Sequence, residues 1–470
     1  MAALTDAEIT KLQNYIIPAF TNAKRISDLE VASDGSPLDM YVEILDKNGE
    51  TKKCKVASLL PYVEDQLYYG VEWDTTVSTT AMTRIGNSDL HKSLPIQSRM
   101  RGCLLADDGT PTYLNPTNWL AYTLDGSAGQ LMVEIPAHYR KFVSIDTKRQ
   151  CRLSEYPIPG YTYVPKVYIS AMEASLQRST GKLCSVVNTT TDYRGGANQS
   201  DWDGTYKTLL GRAVSVLSRP AFRNAARLRN GDTKWNMYTL DAHQTMCWLY
   251  FVEYADRNSQ LAFNSAKTSE GYMQGGLGNG VSTYGDWGTF NGAYPFVPCG
   301  HTNSLGNYSG EVKYDFVDQN GAAQSVMVNR YRGIENPFGH IWKHTDGVNI
   351  EILTDADGGT SKVYTCSDPA KFTDSNYSGY VLQGLEARDS GYVKDIIFNN
   401  GCILPSAIGG GTTSYWCDYH YTSVTSSSMR GLLLGGSALH GADDGLVSCN
   451  SGLAPAIADA DIGSRLCYIP

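Results

Sequence analysis

Apolar residues recur at helical spacing in three stretches of this chain and alternate with polar ones, or form short runs, nearly everywhere else. Residues 1–20 predict a helix, with Thr5 and Glu8 as a capping box, Ile9, Leu12 and Ile16 along one side and Pro18 ending the pattern. One amphipathic helix this short is marginal alone, so it docks either on another subunit or partner or back on its own chain. A second helix is predicted from about Ser218 to Leu228, with Pro220 in its first turn. The third runs from about Asp241 to Tyr254, with Asp241 and Gln244 as an acidic variant of the capping box. Met246, Leu249 and Val252 supply its buried side, and Trp248 and Phe251 widen that stripe into the pattern of a core helix.

The rest reads as strands and turns. Met40 to Leu45 precedes the turn Asn48-Gly49, which supports a small β module, and Gln130 to Ile135 is the clearest strand that follows, within the stretch from Tyr68 to about Phe142. Glu155-Tyr-Pro-Ile-Pro-Gly160 cannot continue a central strand and marks an expected boundary, after which Pro165 to Ser170 opens a different region. The segment Gly271 to Gly280 is too rich in glycine for a helix, and no Gly-Lys-Ser/Thr comes after it to make it a phosphate loop. Short strands return at 310–331 and 347–365. In the final stretch, Arg430 to Pro470, an apolar strand feeds a run of Gly, Ala, Ser, Asp and Asn that closes in Ile462-Gly463-Ser464-Arg465-Leu466. Such a terminus presents a surface. The expected class is α+β, with a docking helix at 1–20, a β-rich region of one or two modules at 21–154 and a larger head at 155–470.

Composition narrows the function. The chain has 470 residues and a net charge of −9 without any block of Lys or Arg, which speaks against nucleic acid as a partner. No segment has the roughly 20 apolar residues that span a bilayer, and the amino terminus does not read as a signal peptide. The 31 Tyr and 8 Trp suit either binding and subunit surfaces or a β-rich protein with many turns. The 11 Cys are odd in number, widely spaced and without a CxxC pair, so reduced, buried thiols are expected in place of a disulfide or zinc framework.

Candidate chemistry is sparse. Among the His residues, including His301, His340, His344, His420 and His440, there is no HExxH, no GxSxG and no defensible Ser-His-Asp order. His340 and His344 would share a helical face, but Phe338-Gly339 argues against a helix there. Asp443 with Asp444, Asp459 with Asp461, and Asp355 with Asp357 ahead of Gly358-Gly359 are acid pairs suited to a solvated turn, to Ca²⁺ or to two-carboxylate glycoside hydrolysis.

Four pieces together carry a family resemblance: Trp235 with the helix from His243 to Glu253; Gly333-Ile-Glu-Asn-Pro-Phe-Gly-His-Ile-Trp342; Ser414 to Tyr419; and Arg430 to Arg465. Residues 155–470 resemble the C-type-lectin-like fold of the formylglycine-generating-enzyme class. The likeness is to the branch holding diversity-generating retroelement variable proteins and phage receptor-binding proteins. Gly435-Gly436 matches the opening of that family's display segment, Ala442 to Leu446 its middle and Ile462 to Leu466 its close. Ser464 and Ala438 stand where the family has bulkier aromatics. The class's copper-binding cysteine pair would have to be Cys449 and Cys467, whose contexts do not match, so no enzymatic role is carried over. The first 150 residues are similar to tail proteins of Bacteroides-infecting and crAss-like phages, notably at Tyr69 to Trp73, Gln97 to Gly102 and Met132 to Lys141.

The resemblance implies a virion tail protein, assembled in the host cytoplasm, that recognises a bacterial surface protein or glycan without catalysis. A structural tail or baseplate protein contacting only virion proteins is the alternative, and a glycan-cleaving enzyme a third class. Other tail proteins would be partners, and a homo-oligomer such as a trimer would supply avidity. It implies a scaffold of Trp235, Gly333, Glu335, Asn336, Trp342, Arg430, Gly435, Gly436, Gly463 and Arg465. The display face would hold Ala438, Leu439, His440, Asp443, Asp444, Ser448, Asn450, Asp459 and Asp461. That face has no Trp, Tyr or Arg between 438 and 461, so hot-spot aromatics must come from neighbouring loops, with Tyr284, Trp287, Tyr415 and Trp416 as candidates.

Overall fold

A computed structural model describes residues 41–45, 51–55 and 63–470; the predicted helix over residues 1–20 lies outside the described residues. The architecture is mixed α+β, with several sheets and scattered helices. Tyr41–Leu45 pairs antiparallel with Thr51–Lys55, strands of the β character expected there. No helix among the described residues is long and apolar enough to cross a membrane.

Three larger sheets organise the chain. A five-stranded sheet runs in the order Thr162–Val164, His138–Ile145, Lys148–Ser154, Tyr69–Asp74 and Thr83–Gly86. A six-stranded sheet runs Trp235–Met237, Leu466–Tyr468, Val167–Ser170, Gln130–Ile135, Arg101–Leu105 and Pro111–Tyr113. The third runs Val381–Leu385, Ser361–Thr365, Trp342–Ile352, Ser428–Leu434, Cys449–Asn450, Tyr419–Tyr421, Gly391–Ile396 and Pro405–Ile408, with Ile462–Gly463 parallel to Trp342–Lys343. This third sheet curls almost into a barrel: just past its first strand, the Ala387 N–H donates to the Pro405 carbonyl of its last at 3.0 Å.

The chain crosses the expected boundary at Glu155 without leaving its core. Val167–Ser170 lies between Gln130–Ile135 and the carboxy-terminal Leu466–Tyr468, so one sheet takes strands from both sides of that position. Trp73 of the five-stranded sheet stacks on Trp248 at 5.7 Å between ring centroids and meets Trp416 edge-on at 5.6 Å. Phe142, Phe251 and Phe398 complete this aromatic knot. Rings of such area dominate core energetics, and they unite the two regions here.

The helix Leu240–Tyr254 carries Trp248 through the centre, and every residue in it except Asp241 is buried. An all-round buried surface is what a central helix needs. Its amino terminus differs from the expected acidic box. The Thr239 hydroxyl accepts from the Ala242 N–H, while Gln244 turns away to accept from the Ile403 N–H at 3.2 Å. The second helix, Arg219–Arg227, begins where predicted, with Ser218 as its cap. Beside the buried Phe222, Ala225 and Ala226 it also buries charge: Arg223 pairs with Asp346 at 2.5 Å and Asp374 at 2.7 Å, and Arg219 with Asp374 at 2.7 Å. Ten described cysteines are free and buried, as the spacing predicted.

Candidate functional site: a tyrosine patch beside the carboxy-terminal segment

The segment between residues 435 and 463 leaves the strand Ser428–Leu434 through Gly435 and Gly436, whose φ angles are +88° and +71°. A Cβ on Gly436 would fall 1.5 Å from Asp444 Oδ1, so this turn requires glycine on both counts. The segment rejoins the sheet at Ile462–Gly463. Arg465, fully buried, anchors the chain just past that point by donating to the carbonyls of Ser170 (3.1 Å), Asn336 (2.6 Å) and Glu335.

Between these anchors, Asp443 is the best-held side chain. Its carboxylate accepts from the hydroxyls of Tyr392 at 2.5 Å and Tyr421 at 2.8 Å. Tyr419 lies between them, 5.0 Å from the Tyr392 ring and 4.6 Å from the Tyr421 ring. His440 packs edge-on to Tyr421 at 5.2 Å and to the buried Trp342 at 5.3 Å. Ser437 donates to Asp461 Oδ2 at 3.2 Å and so accepts from His440 Nδ1 at 3.0 Å. Burial lowers the His440 pKa, which favours the neutral ring. Burial, and then Asp443, raise those of Tyr392 and Tyr421, which keeps both phenols protonated as donors.

Tyr392, Tyr419, Tyr421 and His440 are half-buried, and Leu439 beside them is 47% exposed. The result is a shallow surface of ring faces around a carboxylate. Rings on a rigid strand offer contact area at little entropic cost. Strand geometry explains the presentation: in Tyr419–Tyr421 successive side chains point to opposite faces, so the two tyrosines face outward and His420 is buried. The aromatics that border Asp443 are Tyr392, Tyr419 and Tyr421, none of which is among the candidates named from sequence. The Tyr-His-Tyr alternation is the signal that could have found two of them.

The other expected display residues divide. Asp459 is exposed, and Asn450 and Asp461 are half-buried. Ala438, Asp444 and Ser448 are buried, which corrects their placement on the surface. Ala438 is drawn in by the bond from its N–H to the His340 carbonyl at 3.1 Å, and Ser448 by its hydroxyl bond to the Tyr419 carbonyl at 3.2 Å. Asp444 is buried with the Ser437 backbone as a hydrogen-bonding neighbour, and burial drives its pKa well up. Trp287 and Trp416 are likewise buried: Trp287 donates to the Tyr294 carbonyl at 2.7 Å, and Trp416 belongs to the aromatic knot. Tyr284 packs on Phe290, Phe296 and Phe316, and Tyr415 stays half-buried near Lys394 and Arg257.

Most expected scaffold residues are structural. Trp235 donates to the Asp107 carbonyl at 2.8 Å, and Glu335 accepts from the N–H groups of Gly300 and Thr302 at 2.9 and 2.6 Å. Gly333 and Asn336 have positive φ (+92° and +44°), and Gly463 abuts Ile341. Trp342 packs with Leu433 and Ile462. Arg430 is the exception: it is half-buried and its side chain bonds locally, to Ser426, with no acid paired to it among the described residues. Ser464, where bulk was expected, is buried and donates to the His344 carbonyl at 2.9 Å.

The remaining candidates do not converge. His340 Nδ1 meets Glu173 at 2.5 Å, whereas His344 lies in the strand Trp342–Ile352 and bonds the Ile457 carbonyl. Asp355 pairs with Arg388 at 2.6 Å, whereas Asp357 accepts from Thr354 and Ser427. Cys449 and Cys467 belong to different sheets. Gly278 and Gly280 of the glycine-rich segment line an open cavity of about 310 Å³ with Glu311 and Met327. The chain matches no family model and no curated protein.

Proposed function

We propose that this chain is a non-enzymatic receptor-binding protein of a phage tail, with a C-type-lectin-like head that contacts a bacterial surface protein or glycan through the tyrosine patch. The arrangement of Tyr392, Tyr419, Tyr421 and His440 around Asp443 carries this reading. Ring faces stack on apolar sugar faces or peptide side chains, and the neighbouring exposed Leu439 and Asp459 extend the contact. The glycine turn at one end and buried Arg465 near the other hold the segment in register, as a display loop requires.

The test is binding of the full chain to bacterial cells and to a glycan array, with Tyr419→Ala, Tyr421→Ala and His440→Ala variants. At least tenfold weaker binding is expected for one or more variants of unchanged melting temperature, in line with loss of a hot spot. Unchanged binding in all three would place the contact elsewhere.

A second reading has its own observation. Val381, Leu382 and Leu385, on the first strand of the third sheet, are 61%, 48% and 57% exposed. An exposed apolar strand at a sheet edge is suited to subunit or virion contact. A chain that binds tail proteins but no bacterial surface would support the structural role.

A further inference from the structure

Beneath the patch, on the opposite face of the same strand, lies a cluster that receptor binding leaves unexplained. His420 and Cys449 are register partners on adjacent parallel strands, and Glu386 sits just beyond Val381–Leu385, where the third sheet curls on itself. All three are buried, and one ligand atom from each lies within 4.8 Å of the other two.

His420 and Cys449 are already arranged. His420 Nε2 faces the Ala387 carbonyl at 3.2 Å. A carbonyl can only accept, so Nε2 carries the proton and Nδ1 presents a lone pair. Cys449 Sγ lies 3.4 Å from that Nδ1. Metal-bound histidines commonly have their second nitrogen held in this way. Zinc bonds of about 2.0–2.1 Å to nitrogen and 2.3 Å to sulfur place tetrahedral N and S ligands ~3.5 Å apart.

Glu386 is the unexplained member. Its side chain is fully buried, 3.9 Å from His420 Nε2, and Ser451 is its one polar neighbour besides that ring among the described residues, without a hydrogen bond of ordinary geometry to either oxygen. The neighbouring Ser451 hydroxyl is directed to Thr422 Oγ1 at 3.1 Å. An unpaired buried acid is costly, and cores retain such groups when they are paired or coordinate a metal.

We propose that Glu386, His420 and Cys449 form a binding site for a divalent transition-metal ion of zinc type. Binding forms bonds from the ion to one Glu386 carboxylate oxygen, His420 Nδ1 and Cys449 Sγ, and releases the thiol proton to solvent. A 2+ ion with one carboxylate, one thiolate and a neutral imidazole has no net charge, which a dry interior favours. Soft thiolate with imidazole and carboxylate suits zinc better than Ca²⁺ or Mg²⁺. The ion would tie the strands Cys449–Asn450 and Tyr419–Tyr421 to the end of Val381–Leu385, directly under the tyrosines.

The test uses the tag-free full chain, produced with added zinc chloride, dialysed and analysed for metal by mass spectrometry. One zinc per chain is expected, with X-ray absorption of the wild-type protein showing a sulfur scatterer at about 2.3 Å among light-atom ligands. Glu386→Gln and Cys449→Ser should each reduce retained zinc at least tenfold. Should a variant fail to fold, the wild-type absorption spectrum still decides. Folded wild-type protein without metal, metal lacking a sulfur ligand, or zinc content unchanged in folded variants would each overturn the site.

Discussion

The Tyr421 hydroxyl reaches Asp443 Oδ2 at 2.8 Å, joining a short inner strand to the carboxy-terminal segment 22 residues further on. Tyr392 takes the other oxygen, so a single carboxylate holds two tyrosines in place. Asp443→Ala should therefore weaken surface binding more than folding. The expected loss of stability is about 1–3 kcal/mol from two hydrogen bonds to a charged acceptor in a half-buried setting. Tyr421→Phe should give a smaller loss, and a double-mutant cycle with Asp443→Ala should show coupling. Additive effects in urea unfolding would refute the clamp.

Trp416 and Tyr421 are near in sequence and opposite in role. Trp416→Ala empties a site walled by Trp73, Trp248 and Phe251 and should cost about 3–5 kcal/mol. Tyr421→Ala should cost less stability and more binding. Thermal melts and cell-binding curves on both variants distinguish the roles.

Glu173 is buried against His340 at 2.5 Å and Lys343 at 3.1 Å. Burial alone would raise its pKa, but His340 and then Lys343 outweigh it and hold the carboxyl at about 2, below the ordinary 4.5. A depressed folded pKa contributes stability that is fully present above 4.5 and is lost as pH falls towards about 2. Glu173→Gln should flatten that part of the stability profile, measured by denaturation at a series of acidic pH values. An unchanged acid limb would contradict the assignment.

Asp444 has the opposite sign. Its carboxyl, raised well above 3.8 by burial, contributes stability at low pH that is lost as pH rises through the folded pKa. Asp444→Asn removes this titration and should improve the relative stability of the variant as the buffer is made more alkaline. Parallel wild-type and variant profiles would disprove it.

Local features were the most legible. Ser218 with Pro220 marked a helix start, the alternation ahead of Asn48-Gly49 β structure and the scattered cysteines buried thiols, because each depends on neighbours in sequence or on bulk composition. The aromatic candidates were misplaced because a Trp reads alike on a surface and in a core: only the packing of residues 73, 248 and 251 around Trp416 decides. Gln244 looked like a capping partner until the distant Ile403 claimed it. The cluster of Glu386, His420 and Cys449 could not be read in advance, since its members are brought together only when the third sheet curls.

The Tyr-His-Tyr strand divides its positions between two audiences. Under the proposed function, substitutions at Tyr419 and Tyr421 would alter what the protein meets outside, while those at His420 would alter what it is built around. A receptor-binding surface carried on such a strand can be rewritten at alternate positions without reopening the interior, so new specificity and retained architecture are separable along a run of three residues.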